Sequence, residues 1–428
     1  MKRSARVLFR LAFVWLVLGF GFGFEAEAQA PKPPSDPSEL VNALLGSLLG
    51  LQPISEADLQ REVAEVGGVA FRSDVPLEFM TPEQMGRYFD EVFDSEYPVS
   101  RASADERFLR ALDLLPEGVN LRQVRARLLR ENVVGFYDER PGKKRLYAVS
   151  HDRSLTPMNQ LVLAHELRHA LQDQHMKIHE LLADDVSDFD DRRMALLSLL
   201  EGDATLLMQK FLMRRLPGAE EAGFDGAGLT MPAPDMPGVP SILRDQLVQP
   251  YLAGLEFARA LFSTGGWEGL RAAWKRPPDS TEQVLHPDKY ASREAPHSVE
   301  IGFAPPGAKL LLEGSLGELL WRSVLGEGSE EAAAGWGGDR YRVLDLGGRT
   351  VVVSRSVWDT AQDAREFQKA LLARYTTSHG RPRNEGGFSV FDRGSSSVGV
   401  GEWLSGVVLV AGDDRAAVLA LVRSIQSR

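Results

Sequence analysis

The 428-residue chain contains no cysteine. That absence excludes a disulfide framework, a thiolate nucleophile and any Cys-ligated zinc or iron–sulfur centre. Histidine is scarce, at 8 residues, and five of them fall between His151 and His179. Basic charge is also short, with 49 Lys and Arg against 60 Asp and Glu, a net charge of −11. So acidic a balance argues against general nucleic-acid binding, which needs a basic face, and against a polybasic anchor on anionic lipid. Past Phe24 no stretch is long and apolar enough to span a bilayer. With thiolates missing, histidine and carboxylate are left as strong metal ligands.

Apolar residues make up 43% of the chain, enough for packed cores, and the length suits two or three domains. Lys2, Arg3, Arg6 and Arg10 precede the uncharged apolar run Leu11–Phe24. Ala26-Glu27-Ala28 and Ala28-Gln29-Ala30 then offer small-x-small cleavage sites. This grammar predicts a signal peptide over 1–28 and export to the periplasm or medium, with no stable membrane anchor after cleavage. The apolar run is short for a spanning helix, and no cysteine follows it to carry a lipid.

Residues 31–38 form a Pro-rich spacer, within a linker and short helix assigned to 29–54. Helical spacing follows over Ser55–Glu65, Thr81–Phe93, Ala102–Leu115 and Leu121–Arg130. Thr81-Pro-Glu-Gln84 is a capping signal. Asn132–Asp138 and Arg145–Val149, joined through Arg140-Pro-Gly-Lys-Lys144, read as a β-hairpin. Two long helices follow, about Pro157–Lys177 and Asp188–Arg215, the second with Ser187 as its cap. A Gly/Pro/Ala-rich loop covers 217–240, then helices Ile242–Phe262 and Trp267–Trp274. Beyond about 305 the pattern changes: helix Leu316–Val324, strands Tyr341–Leu346 and Thr350–Ser354, helix Ala361–Tyr375, strands Phe388–Phe391 and Val407–Ala411, and helix Arg415–Ile425. The fold class expected is α+β: a mostly helical region over 55–300 with a small β-sheet, and a C-terminal α+β layer domain over 305–428.

The chemistry concentrates in Leu161-Val-Leu-Ala-His-Glu-Leu-Arg-His-Ala-Leu-Gln-Asp-Gln-His175. His165 and His169 are four apart, about 40° of helical rotation, so both imidazoles leave one face one turn apart. Two neutral imidazoles so placed can share a zinc ion. Glu166 lies about 60° from His169 around the helix and is the candidate general base on a metal-activated water. A peptidase zinc needs a third protein ligand and an open position. His175 completes a metzincin-like spacing, except that Gln172 stands where that pattern has Gly. With Gln172 the helix should continue, turning His175 about 120° away from His169. Glu201, in Leu199-Leu-Glu-Gly-Asp-Ala-Thr205, is the favoured alternative. It sits on the next long helix among apolar neighbours, beside a Gly202 that permits close backbone approach.

These residues resemble the gluzincin type of zinc metallopeptidase, His-Glu-x-x-His with a Glu on a following helix. Together with Val134-Gly-Phe-Tyr-Asp138 and Glu201-Gly-Asp-Ala-Thr205, they are similar to a group of uncharacterised bacterial exported predicted metallopeptidases. The resemblance covers about 60–300. It implies a zincin-like fold, Zn2+ on His165, His169 and Glu201, and Glu166 as catalytic residue. The chain departs from the thermolysin plan in having Thr205 where that plan has the Asp that orients a ligand histidine. Asp203 is the substitute expected.

Three further assignments follow. In zincins an edge strand before the metal helix pairs with extended substrate, and Val133–Asp138 is the candidate. An oxyanion donor is needed, and His286 is proposed as that catalytic residue, with Tyr290 and Tyr137 as other options. His175 and His179 are read as solvated or outer residues. The function expected is an exported zinc peptidase acting on a peptide or protein substrate. The rivals are a catalytically inactive zincin-fold binding or scaffold protein, against which an intact Glu166 argues, and a protein that uses zinc only for stability.

Overall fold

The computed structural model describes residues 46, 54–131, 135–150, 155–182, 187–215, 236–302 and 304–426. The leader 1–28, the spacer 31–38, Val133 and Val134 of the hairpin, and most of the 217–240 loop lie outside these residues.

Helix α1 (Glu56–Gly67) is capped by Ser55 and closed by Gly68 at φ 60°. Strand β1 (Leu77–Met80) leads into α2 (Pro82–Glu96), where Thr81 and Gln84 form the reciprocal capping box their spacing predicts. Helix α3 (Val99–Ala111) starts directly after Pro98, earlier than the expected Ala102, and the chain turns through Asp113 at φ 56° before α4 (Leu121–Glu131).

Strands β2 (Gly135–Asp138) and β3 (Arg145–Val149) pair antiparallel, Tyr137 opposite Leu146. Strand β1 pairs with β3 in parallel, giving the order β1-β3-β2. Against this sheet packs α5 (Pro157–Met176), started by a Thr156/Asn159 capping box and ended by Lys177 at φ 55°. Its apolar face joins Tyr137, Leu146 and Ala148 in one core with Leu161, Leu163, Ala164 and Leu167.

A short helix α6 (Ile178–Leu181) precedes α7 (Asp191–Arg215). The start expected at Asp188 is corrected to Asp191. Ser187 Oγ accepts the Phe189 N–H in the turn before the helix, and Asp190 Oδ1 accepts the Arg193 N–H. Helix α7 packs on α5 and on α8 (Ser241–Lys275). The two helices expected over 242–274 are one run broken at Gly266, whose φ 55° and ψ −151° are not helical.

Short helices α9 (Thr281–Leu285) and α10 (Pro287–Ser292) lead to the C-terminal region. There β4 (Lys309–Gly314), β5 (Trp336–Leu346), β6 (Arg349–Trp358), β7 (Arg383–Glu385), β8 (Phe388–Arg393), β9 (Ser396–Trp403) and β10 (Gly406–Gly412) form one antiparallel sheet, ordered β4-β5-β6-β10-β9-β8-β7. Helices α11 (Gly317–Leu325) and α12 (Glu330–Ala333) intervene after β4, α13 (Ala361–His379) after β6, and α14 (Arg415–Gln426) closes the chain. The strands alternate with period two. Val407, Leu409 and Ala411 face Phe367 and Leu371 of α13, while Val408 and Val410 face Val418 and Leu421 of α14. The α+β class is therefore correct, with β1, β4, β7 and β9 added to the strands expected. Among the described residues no helix is long and apolar enough to cross a membrane.

Candidate metal centre

Helix α5 presents His165 and His169 one turn apart, and α7 delivers Glu201 to them. His165 Nε2 and His169 Nε2 are 3.1 Å apart. Glu201 Oε2 lies 3.1 Å from the first and 3.3 Å from the second. All three residues are buried. A tetrahedral zinc ion with ligands at 2.0–2.1 Å needs donor atoms about 3.3–3.4 Å apart. The observed triangle is close to that size. Glu201 Oε1 is buried without a hydrogen-bond partner among the described residues, which a cation beside the carboxylate would remedy. No other His or carboxylate joins this group among the described residues.

Protonation suits the same use. Burial holds the His165 imidazole below its ordinary pKa, against the pull of Glu201, so it is neutral at pH 7. Burial pushes Glu201 up, but the two facing imidazoles outweigh it and keep the carboxylate below its usual range.

Around the triangle a second set of groups fixes its orientation. His169 Nδ1 lies 2.8 Å from Gln172 Oε1. The Gln172 amide nitrogen donates to Leu200 O and to Asp203 Oδ2, so Oε1 must be the atom facing the histidine. His169 Nδ1 therefore carries a proton donated to Gln172 Oε1, which leaves Nε2 as the atom facing Glu201. Asp203 also accepts Arg168 Nε and Nη2 and the Trp274 indole N–H. Arg168 is sandwiched over the rings of Trp267 and Trp274, at 4.7 and 4.6 Å. Asp203 thus reaches His169, a candidate ligand, through Gln172 rather than directly.

Glu166 is fully buried, and its Oε2 accepts the Tyr137 N–H at 2.8 Å. Tyr137 is held at its other end, where its hydroxyl donates to Asp173 Oδ2, which also receives Lys144 Nζ. Strand β2 is at the sheet edge, as strand addition requires; Gly135–Asp138 are buried and the outward Tyr137 N–H is taken by Glu166, while Val133 and Val134 lie outside the described residues.

His175 bonds to Ala70 O, and α5 continues through Gln172, so His175 stays out of the triangle as its angle predicts. His286 is not in the group either. Its Nε2 pairs with both oxygens of buried Glu318 on α11, which raise its pKa. Tyr290 donates its hydroxyl to Arg276 O. Sequence reading passed over Tyr251 of α8, whose ring stacks on His165 at 6.0 Å. It also passed over the orienting use of Gln172, Arg168 and Trp274. The i, i+3 spacing of His169 and Gln172 was the available signal for one of them. A second carboxylate cluster, Glu282, Glu294 and Asp359, already surrounds the Lys289 ammonium at 2.6–2.7 Å and needs no metal.

Residues 309–422 match the model of a family described as a domain of unknown function, DUF8575. The match covers most of the C-terminal sheet region and none of the metal-centre residues. No curated protein and no solved structure matches the chain.

Proposed function

We propose that the protein is an exported zinc-dependent peptidase, with His165, His169 and Glu201 as metal ligands and Glu166 as general base. The observation that carries this reading is the near-equilateral triangle of three buried ligand atoms with Glu166 on the same helix. A divalent ion held there would polarise a peptide carbonyl and make a water more acidic. The chain's own residues do the rest. Glu166, oriented by the Tyr137 N–H, takes a proton from the attacking water and returns it to the departing amine. Gln172 and Asp203 keep His169 in the ligating tautomer. Export rests on the leader 1–28. His286 has no part in this mechanism, because Glu318 engages it.

Burial of all four residues favours a second reading, a metal held for stability alone. A three-ligand rather than four-ligand group counts against it. Mature protein should hold about one zinc per chain. Glu201→Ala should lose most of it and His175→Ala should not; the reverse result would defeat the ligand assignment. Glu166→Gln should keep the metal and abolish hydrolysis of a broad peptide library, and full activity in that variant would sink the mechanism.

A further inference from the structure

Helices α3 and α4 enclose a cleft of about 810 Å³, within the range of ligand sites. Five arginines line it: Arg107, Arg110, Arg122, Arg127 and Arg130. The carboxylate among its lining residues is Glu106. Four of the five face a carboxylate, Asp345, Glu106, Asp94 and Asp90, so the excess positive charge of the cleft rests on Arg127 and on the pairs that an incoming anion displaces.

The five side chains differ in availability. Arg107 is tied to Asp345 and Thr350 and belongs to the packing between regions. Arg122 reaches Tyr97 O and Asp94. Arg110 pairs with Glu106 and donates to Val119 O, and Arg130 pairs with Asp90; both arginine side chains are open to solvent. Such exposed pairs contribute little and exchange readily with an incoming anion. Arg127 is exposed and has no partner among the described residues.

We propose that this cleft binds an acidic peptide segment, a reading independent of the peptidase assignment. Guanidinium forks match carboxylates in bidentate geometry. Val99, Ala102 and Ala126 supply apolar wall for the aliphatic stems of such a segment. Among the described residues no aromatic side chain lines the cleft to stack on bases. A long polyanion would also meet the repulsion of the whole molecule, whereas a short segment meets the local arginines.

The test is fluorescence anisotropy of the full-length mature chain with a labelled hexapeptide of alternating Glu and Gly. Its Gln counterpart and an oligonucleotide of equal charge serve as comparison probes. Saturable binding of the Glu peptide, weakened by salt and absent for the Gln peptide, is expected. The triple variant Arg110→Ala, Arg127→Ala, Arg130→Ala should bind about tenfold more weakly. Arg127→Ala alone removes no intramolecular bond and should still weaken binding about threefold, which guards against a misfolded triple variant. No saturable binding, equal binding of the Gln peptide, unchanged affinity in both variants, or tighter binding of the oligonucleotide would each overturn the proposal.

Discussion

At the residue scale, Gln172 ties the metal centre together. It stands where a metzincin-like pattern has Gly, and a glycine there would free the chain to turn. Gln172 keeps α5 helical, and its amide connects His169 Nδ1 to Asp203 and to Leu200 O. Outer groups of this kind typically carry a factor of about 10–100 in metal affinity. Gln172→Ala is therefore expected to weaken zinc binding by about that factor, measured by chelator competition. Unchanged affinity would mean that the amide does not set the tautomer. The meeting of His165 and His169 was legible in the sequence because i, i+4 spacing on a helix fixes two side chains on one face. Glu201 was legible from its apolar surroundings. The role of Gln172 was not, because its partners Leu200 O and Asp203 arrive from another helix.

At the element scale, the carboxylate depends on how closely α7 and α8 approach. A Cβ on Gly202 would lie 1.9 Å from Gly254 O, and one on Gly254 would lie 2.1 Å from Ser198 O. Both contacts are with backbone, so no rotamer change relieves them. Gly202→Ala must push the helices apart and is expected to cost about 3 kcal/mol in urea unfolding, from overpacking. It should also reduce zinc retention, because Glu201 is the adjacent residue on α7. Stability within a few tenths of wild type would show that the crossing is softer than its geometry. Gly202 stood out in the sequence as a glycine amid apolar helix residues, whereas its counterpart Gly254 did not. Strand β1 was illegible for a related reason. Leu77–Met80 is four residues long, and its alternation stops at Phe79; it becomes a strand by pairing with β3, far along the chain. The capping boxes, by contrast, are local and read directly.

At the scale of the whole molecule, the change of pattern near residue 305 marks a change of architecture and not a gap in packing. Phe108, Phe189 and Leu243 share one core with Tyr341, Val343 and Leu371. The Asp191 N–H donates to Ser315 O, and the Tyr341 hydroxyl donates to Phe189 O. The N-terminus of α7 is therefore completed by the C-terminal region, ten residues before Glu201, the proposed ligand. A chain ended at residue 304 should lose cooperative unfolding and most of its zinc, as judged by near-ultraviolet circular dichroism and metal analysis. A truncated chain with a sharp transition and full metal content would show two independent units. Composition and periodicity indicated both architectures, but periodicity does not say which surfaces of two regions meet.

Tyr137 carries a consequence of another kind. Its amide hydrogen lies between β2 and the Glu166 carboxylate, while its hydroxyl is fastened to Asp173. Both residues are buried, so exchange of that hydrogen with solvent requires the carboxylate to leave it, and the exchange rate is expected to report those departures. The backbone thus holds a clock for the side chain proposed as general base.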